Sequence, residues 1–147
     1  MDGAIHAAAG TGLLDELRRR YPNGTPTGTA VVTDGHNLPA RWVIHAVGPA
    51  WRGGGHGEAA LLQGAYRSVL ELADGLGARS LALPAISMGI YGYPIDDGAR
   101  IGVETVAGHL GGERTTLELV RFVLRPATLE AFNVAVGLVR VEQGETR

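Results

Sequence analysis

A glycine-containing loop that follows an apolar stretch is the part of this sequence best suited to bind an anion. Residues 82–94 read ALPAISMGIYGYP. Gly89 and Gly92 let the backbone approach a ligand and turn its N–H groups outward, which is how neutral peptide groups bind phosphate. Ser87 adds a hydroxyl donor, and Tyr91 adds a flat face for a sugar or base. These residues suit a diphosphate, but an ordinary strand-to-helix turn explains them equally well, and the loop alone favours neither interpretation.

Asp2 and His6 are the second candidate for chemistry, because they lie four residues apart and would share one face of a helix. A carboxylate that orients or deprotonates a water molecule is common in hydrolytic sites. From the residues alone, however, a plainer interpretation is favoured: an exposed N-terminal aspartate and an amphipathic histidine.

The remaining histidines do not indicate a metal site. His36, His45, His56 and His109 show no metal-ligand spacing and the chain has no cysteine, so we expect neither a metal nor another cofactor. His45 lies within an apolar strand pattern and is expected to be a hydrogen-bonded core residue. The GGGHG segment at residues 53–57 has no strand before it and no Lys-Ser or Lys-Thr after it, so it has little weight as a nucleotide loop.

The composition describes a single globular domain. The chain has 147 residues, of which 45% are apolar and 19% charged, with a net charge of −2. This length allows a sizeable core, and the charge gives no case for nucleic acid or an anionic membrane as the main partner. No apolar run reaches the length of a membrane span, and a cytoplasmic location is the default expectation.

The order of the predicted elements indicates an α/β domain. From residue 41 onward, strands and helices alternate, which favours a layered fold with a largely parallel sheet. Helices are predicted over residues 11–21, 58–75, 96–110 and from 126 onward, and strands over residues 29–33, 40–47, 80–85 and 116–124. The strand at 80–85 is nearly all apolar, as expected where both faces of a sheet are covered. Ligands of such sheets bind at the carboxyl ends of strands, where the 82–94 segment begins.

Three segments in register resemble the macrodomain family. They are DGAIHAAAG at 2–10, PTGTAVVTDGHNLPARWVIHAVGPAW at 26–51 and LALPAISMGIYGYP at 81–94. The resemblance is strongest to the bacterial and mitochondrial ADP-ribose hydrolase branch and covers the chain down to its final helix. It implies a three-layer α/β/α sandwich with a mixed, largely parallel sheet and a cleft for ADP-ribose. It also implies hydrolysis of esters at the distal ribose, such as O-acetyl-ADP-ribose or ADP-ribosyl groups on acidic side chains.

The same resemblance assigns roles to the residues named above. The family's second phosphate loop is matched by what we call the 87–91 loop, which consists of Ser87, Met88, Gly89, Ile90 and Tyr91. Tyr91 matches the aromatic residue that lies against the distal ribose. Asp2 matches an acidic residue suggested to orient or activate the attacking water, and His6 matches a nearby histidine of lesser role.

The beginning of the chain departs from the family's pattern. Macrodomains usually begin with two further strands, which carry an acidic residue for adenine, an Asn-Ala-Ala-Asn segment and a first phosphate loop before the position of Asp2. We therefore expect an N-terminally truncated macro domain over residues 1–141 and a polar tail over residues 142–147. Our hypothesis is a misassigned start, because valine usually precedes this aspartate and a GTG valine codon also serves as a bacterial start codon.

Two alternatives to an ester hydrolase stay open at this point: a non-catalytic ADP-ribose-binding module and an inactive fragment. The expected partner is ADP-ribose or an ADP-ribosylated protein or small molecule, without nucleic acid or membrane, and the expected state is a monomer. If the chain is truly this short, we expect poor solubility, a distorted sheet or strands supplied by a partner, and weak or no catalysis, because a central strand of the family's sheet would be missing. The hydrolase expectation therefore applies to the full-length form.

Overall fold

The computed structural model describes residues 2–112 and 114–142. These residues form five helices and four strands, in the order α1 Asp2–Ala9, α2 Thr11–Arg20, β1 Ala30–Asp34, β2 Trp42–Ala46, α3 Glu58–Gly75, β3 Ser80–Leu83, α4 Ile95–Leu110, β4 Leu119–Phe122 and α5 Pro126–Glu142. The predicted alternation of strands and helices is confirmed. The strand at 80–85 is shorter than predicted because Pro84 has no N–H group with which to continue a ladder. The predicted tail over 142–147 lies, apart from Glu142, outside the described residues.

The four strands pair as two separate two-stranded sheets. β1 and β2 are antiparallel, with Val32 opposite Ile44. β3 and β4 are parallel, with Leu81 opposite Val120. The strand pairing is thus mixed, as expected, but within the described residues no backbone ladder joins β2 to β3.

The main core is built on one face of α3. Its buried apolar side chains recur at helical spacing and are at most 2% exposed: Leu62, Ala65, Val69, Leu70 and Ala73. They belong to one hydrophobic cluster with Ile44 of β2 and Leu83 of β3. The two sheets are therefore connected by side-chain packing on α3 rather than by backbone hydrogen bonds.

The helices α4 and α5 form a second cluster beside the first. Its buried members are Ala99, Val103, Phe132 and Ala135. Phe122 of β4 connects the two clusters, because its ring lies 4.9 Å from the Phe132 ring and 6.4 Å from the Tyr66 ring, centroid to centroid. No helix within the described residues combines the length and the apolar character that crossing a membrane requires.

Each sheet also has a face that points away from α3. This face is covered on the β1–β2 sheet and exposed on the β3–β4 sheet. On β1, Thr33 is buried, and the Tyr21 hydroxyl at the end of α2 donates to the Val32 carbonyl at 2.9 Å. On the β3–β4 sheet, Ser80, Ala82 and Leu119 are exposed. The expectation that the strand at 80–85 is covered on both faces is therefore wrong, because in the described part of the chain no helix packs over this side of it.

Candidate functional site

The 87–91 loop lies between the end of β3 and the beginning of α4. Two backbone hydrogen bonds close it: the Tyr93 N–H donates to the Ser87 carbonyl at 2.9 Å, and the Gly92 N–H donates to the Gly89 carbonyl at 3.0 Å. Ser87 has a φ of 66°, a left-handed conformation that is uncommon for a residue with a Cβ and that clusters at ligand sites. The loop is a tight turn held in an unusual backbone conformation.

Several polar groups of this loop have no protein partner. Within the described residues, the N–H groups of Ser87, Gly89, Ile90 and Tyr91 donate no hydrogen bond to another protein group. The hydroxyl oxygen of Ser87 is buried and also lacks a partner there. Donors in this state cost free energy unless water or a ligand accepts from them. Together they can hold the oxygens of an anion.

The loop's side chains divide into an anchor and an accessible part. Met88 is half-buried and packs against both hydrophobic clusters. Ile90 is fully exposed and Tyr91 is 49% exposed. The ring of Tyr91 is thus accessible to a ligand that lies on the loop, whereas Met88 attaches the loop to the core.

A buried tyrosine supports the start of the loop. The Ile86 N–H donates to the hydroxyl oxygen of Tyr66 at 3.0 Å. Burial raises the pKa of Tyr66 to about 12, although the Ile86 N–H acts in the opposite direction, so the phenol is neutral at physiological pH. The role of Tyr66 could not be predicted from the sequence, because Tyr66 occupies one of many apolar-face positions of α3.

The segment after β2, residues 51–57, adjoins the 87–91 loop, and we call it the 51–57 loop. The Trp51 N–H donates to the Tyr91 carbonyl at 2.8 Å. The Trp51 and Tyr93 rings pack edge to face, with centroids 4.9 Å apart. Trp51 therefore contacts both the last residue of the 87–91 loop and the tyrosine that closes it.

A buried carboxylate, Glu58, holds the 51–57 loop in place. It is 2% exposed and is the first residue of α3. Its oxygens accept from the N–H groups of Arg52 at 3.0 Å, Gly54 at 2.9 Å and His56 at 2.6 Å. Burial alone would raise the pKa of Glu58, but these N–H groups outweigh it and lower the pKa to about 2. The sequence did contain a signal, an acidic residue that opens a helix directly after a glycine-rich segment.

The helix α1 places His6 beside β2. The ring centroids of His6 and His45 are 6.1 Å apart, and His45 Nε2 lies 3.0 Å from the Thr33 hydroxyl oxygen, so the predicted hydrogen bonding of His45 is confirmed. Asp2 is the first residue of α1, and its side chain lies outside the described residues. Gly48, shortly after β2, packs closely against Ser87. The 87–91 loop therefore adjoins the residues that follow β2, and His6 adjoins β2 itself.

The turn after β1 fixes α1 and α2 against the sheet. The Asn37 N–H donates to the carbonyl of Ala9, the last residue of α1, at 3.2 Å. The buried carboxylate of Glu16 accepts from the Asp34 N–H at 3.1 Å and lies 2.7 Å from His36 Nε2. Burial alone would raise the pKa of Glu16. The hydrogen bonds that its carboxylate accepts outweigh burial and lower the pKa, and the bond from Arg20 has the largest effect among them. These contacts determine where α1 presents its side chains.

A second hydrogen-bonded carboxylate, Asp74, lies at the other end of α3. Asp74 oxygens lie 2.6 Å from His109 Nε2 and accept from the Thr115 hydroxyl at 2.8 Å and the Thr116 N–H at 3.1 Å. At 1.5 Å per residue, Asp74 is about 24 Å from Glu58 along the helix. Among the residues that the structure describes, no group of three or more His, Asp or Glu side chains could hold a metal ion.

Comparison with known proteins agrees with this architecture. Residues 1–102 match the family model described as Macro domain. A macro domain-containing protein of Caldanaerobacter subterraneus subsp. tengcongensis is 47% identical over 126 residues, which cover 84% of this chain and 71% of that protein. An O-acetyl-ADP-ribose deacetylase of Salmonella gallinarum is 53% identical over 109 residues, which cover 73% of this chain and 61% of that protein.

The likeness extends to solved structures. A mutant Oceanobacillus iheyensis macrodomain with ADPR superposes with a TM-score of 0.84 at 36% sequence identity, covering 96% of this chain and 77% of that one. This confirms the expected α/β macrodomain-like fold. Together with the family match over most of the chain, the identities show that this chain belongs to the macro domain family.

Proposed function

We propose that this protein binds ADP-ribose and hydrolyses ester-linked ADP-ribose, either O-acetyl-ADP-ribose or ADP-ribosyl groups on acidic side chains. The observation that carries the proposal is the 87–91 loop, in which the N–H groups of Ser87, Gly89, Ile90 and Tyr91 donate no hydrogen bond within the described residues. Such a loop suits a diphosphate because several neutral donors can share the negative charge. The similar Salmonella gallinarum protein is named for O-acetyl-ADP-ribose deacetylation, and the similar Oceanobacillus iheyensis structure holds ADPR.

In this proposal each site residue has one role. The 87–91 loop binds the diphosphate, and the exposed ring of Tyr91 lies against the distal ribose. Asp2 orients a water molecule and accepts its proton, and His6 supports the site from α1. For O-acetyl-ADP-ribose, the water oxygen bonds to the acyl carbon, the ester C–O bond breaks, and the ribose oxygen leaves as a hydroxyl by taking the proton that Asp2 accepted from the water. The products are acetate and ADP-ribose.

Calorimetry with ADP-ribose tests the binding site. Gly89→Glu should abolish detectable binding, because it places a negative charge beside the phosphates. A Cβ at position 89 would meet nothing within 4 Å, so the variant should fold normally. The matched control is Gly137→Glu, which adds the same charge at an open position of α5. Unchanged affinity in Gly89→Glu would contradict the proposed site.

Turnover of O-acetyl-ADP-ribose distinguishes a hydrolase from the two alternatives. We expect Asp2→Ala to lower kcat by about a hundredfold or more, the usual scale for loss of a general base, with ADP-ribose affinity largely kept. Equal rates in the two proteins would remove Asp2 from the mechanism. Binding without turnover in the wild-type protein would make the chain a binding module, and absence of binding would make it an inactive fragment.

A further inference from the structure

Glu58 is a buried carboxylate to which the proposed function assigns no role. Its three accepted hydrogen bonds all come from the backbone of the 51–57 loop. Since a carboxylate accepts without donating, it can gather several N–H groups that no other side chain here could satisfy together. The conformation of the 51–57 loop therefore depends on this one side chain.

The 51–57 loop in turn contacts the 87–91 loop through Trp51. The indole lies against Gly54, where an added Cβ would stand 2.9 Å from Trp51 Cη2. The backbone N–H of Trp51 donates to Tyr91 at 2.8 Å, and its ring packs on Tyr93. A shift of the backbone at 52–56 would move Trp51 and, with it, both of these contacts.

Tyr93 extends this connection to the other end of the 87–91 loop. Its N–H donates to the Ser87 carbonyl at 2.9 Å, so Trp51 supports Tyr91 directly and Ser87 through Tyr93. Burial is the main factor that raises the pKa of Tyr93, and the negative charges of Asp97 and Glu58 also contribute. Glu58 is therefore close enough for its charge to act on the residue that closes the loop.

We propose that Glu58 is a positioning residue for the ADP-ribose site, acting through the 51–57 loop and Trp51 to hold the 87–91 loop in its binding conformation. The proposal rests on the proposed function, because the ligand is ADP-ribose. Glu58 itself need not touch the ligand, since its carboxylate is occupied by the loop's N–H groups. Its effect on affinity comes from keeping the loop's donors arranged before the ligand arrives.

The test compares Glu58→Gln with Asp74→Asn by calorimetry with ADP-ribose. Both carboxylates lie on α3, accept several hydrogen bonds and have a lowered pKa, but only Glu58 connects to the 87–91 loop. The amide of glutamine presents N–H groups to at least one of the three loop donors and so disrupts the loop. We expect Glu58→Gln to bind about tenfold more weakly, the scale of one lost charged hydrogen bond, and Asp74→Asn to bind as the wild-type protein does.

A calorimetric stoichiometry near one identifies folded protein, so the affinity of each variant is measured independently of its stability. Affinity in Glu58→Gln equal to that of the wild-type protein overturns the proposal. An equal loss in both variants also overturns it, because a general loosening of α3 would then be the cause.

Amide hydrogen exchange at Trp51 and Tyr93 provides a readout that needs no ligand. Exchange at both amides should accelerate in Glu58→Gln and not in Asp74→Asn, because only the first change frees the 51–57 loop. If the wild-type protein fails to bind ADP-ribose, the proposed function is wrong, and exchange at Trp51 still decides whether Glu58 positions the loop. If Trp51 and Tyr93 exchange their amide hydrogens as slowly in Glu58→Gln as in the wild-type protein, Glu58 does not position the loop.

A pair of alanine variants keeps the proposal testable if Glu58→Gln does not fold. Gly53 and Gly54 have similar positive φ values of 95° and 91°, so alanine is strained at both positions. Only at Gly54 would the new Cβ press on Trp51, since nothing lies within 4 Å of one at Gly53. Gly54→Ala should weaken ADP-ribose binding more than Gly53→Ala, and equal effects would contradict the role of Trp51.

Discussion

Gly48 shows how closely the segment after β2 and the 87–91 loop approach each other. A Cβ at this position would overlap the Ser87 hydroxyl oxygen and stand 2.5 Å from Ile86 Cγ2. Gly48 has no positive φ, so its requirement for glycine is steric rather than conformational. The space at this residue accommodates the Ser87 hydroxyl and the Ile86 side chain.

Gly48→Ala should therefore damage the site as well as the fold. We expect a loss of about 1–3 kcal/mol in the free energy of unfolding, typical of overpacking, and a clear loss of ADP-ribose affinity, because Ser87 must move. Urea denaturation and calorimetry measure the two effects. Gly55→Ala is the control, since it also lacks a positive φ and meets nothing within 4 Å. If Gly48→Ala and Gly55→Ala have the same free energy of unfolding, the predicted overpacking against Ser87 is wrong.

At the scale of elements, Asp74 joins the end of α3 to α4 and to the segment before β4. Burial alone would raise the pKa of Asp74, but hydrogen bonds from Thr115, Thr116 and His109 outweigh it and lower the pKa. A lowered folded-state pKa means that the stabilisation is complete above the unfolded value of 3.8. It is lost as the pH falls through the folded value. This junction should therefore weaken in acid.

Asp74→Asn should lower the free energy of unfolding by about 1–2 kcal/mol near neutral pH, because the oxygen that faces His109 becomes an NH2 group and the hydrogen bonds from Thr115 and Thr116 lose their charged acceptor. The difference from the wild-type protein should begin to shrink as the pH falls below the unfolded pKa of 3.8, and it should be smallest once the pH has passed the lower folded pKa, where the wild-type carboxylate is also neutralised. Urea denaturation from pH 6 downward measures this difference. Glu16 and Glu58 titrate in both proteins, so their contributions cancel. A difference that stays constant down to the acid limit would contradict the role of the Asp74 charge.

At the scale of the whole molecule, packing rather than backbone pairing joins the two sheets. The cluster on α3 contains residues of both sheets, whereas no ladder within the described residues connects β2 to β3. One face of the β3–β4 sheet is also open, with Leu119 at 49% exposure. A monomeric state and a cytoplasmic location stay predictions from the sequence.

Much of the fold could be predicted because it depends on local patterns. The periodic apolar positions of α3 predicted its bounds at Glu58 and Gly75, and the predicted helix from Pro126 likewise begins where α5 does. The strand pairing and the open face of β3 could not be predicted in the same way. An apolar strand pattern indicates burial in general but does not say which faces neighbouring elements will cover.

The sequence by itself determined that a glycine-containing loop with a serine and tyrosines follows an apolar strand, and that Asp2 and His6 would share one face if their segment is helical. Only the tertiary structure decided which N–H groups of that loop have acceptors, that Tyr66 supports Ile86, and that Glu58 holds the 51–57 loop under Trp51. The reason is that burial and hydrogen bonding join residues distant along the chain, such as Trp51 and Tyr91. The local periodicity of apolar residues does not predict contacts of this kind.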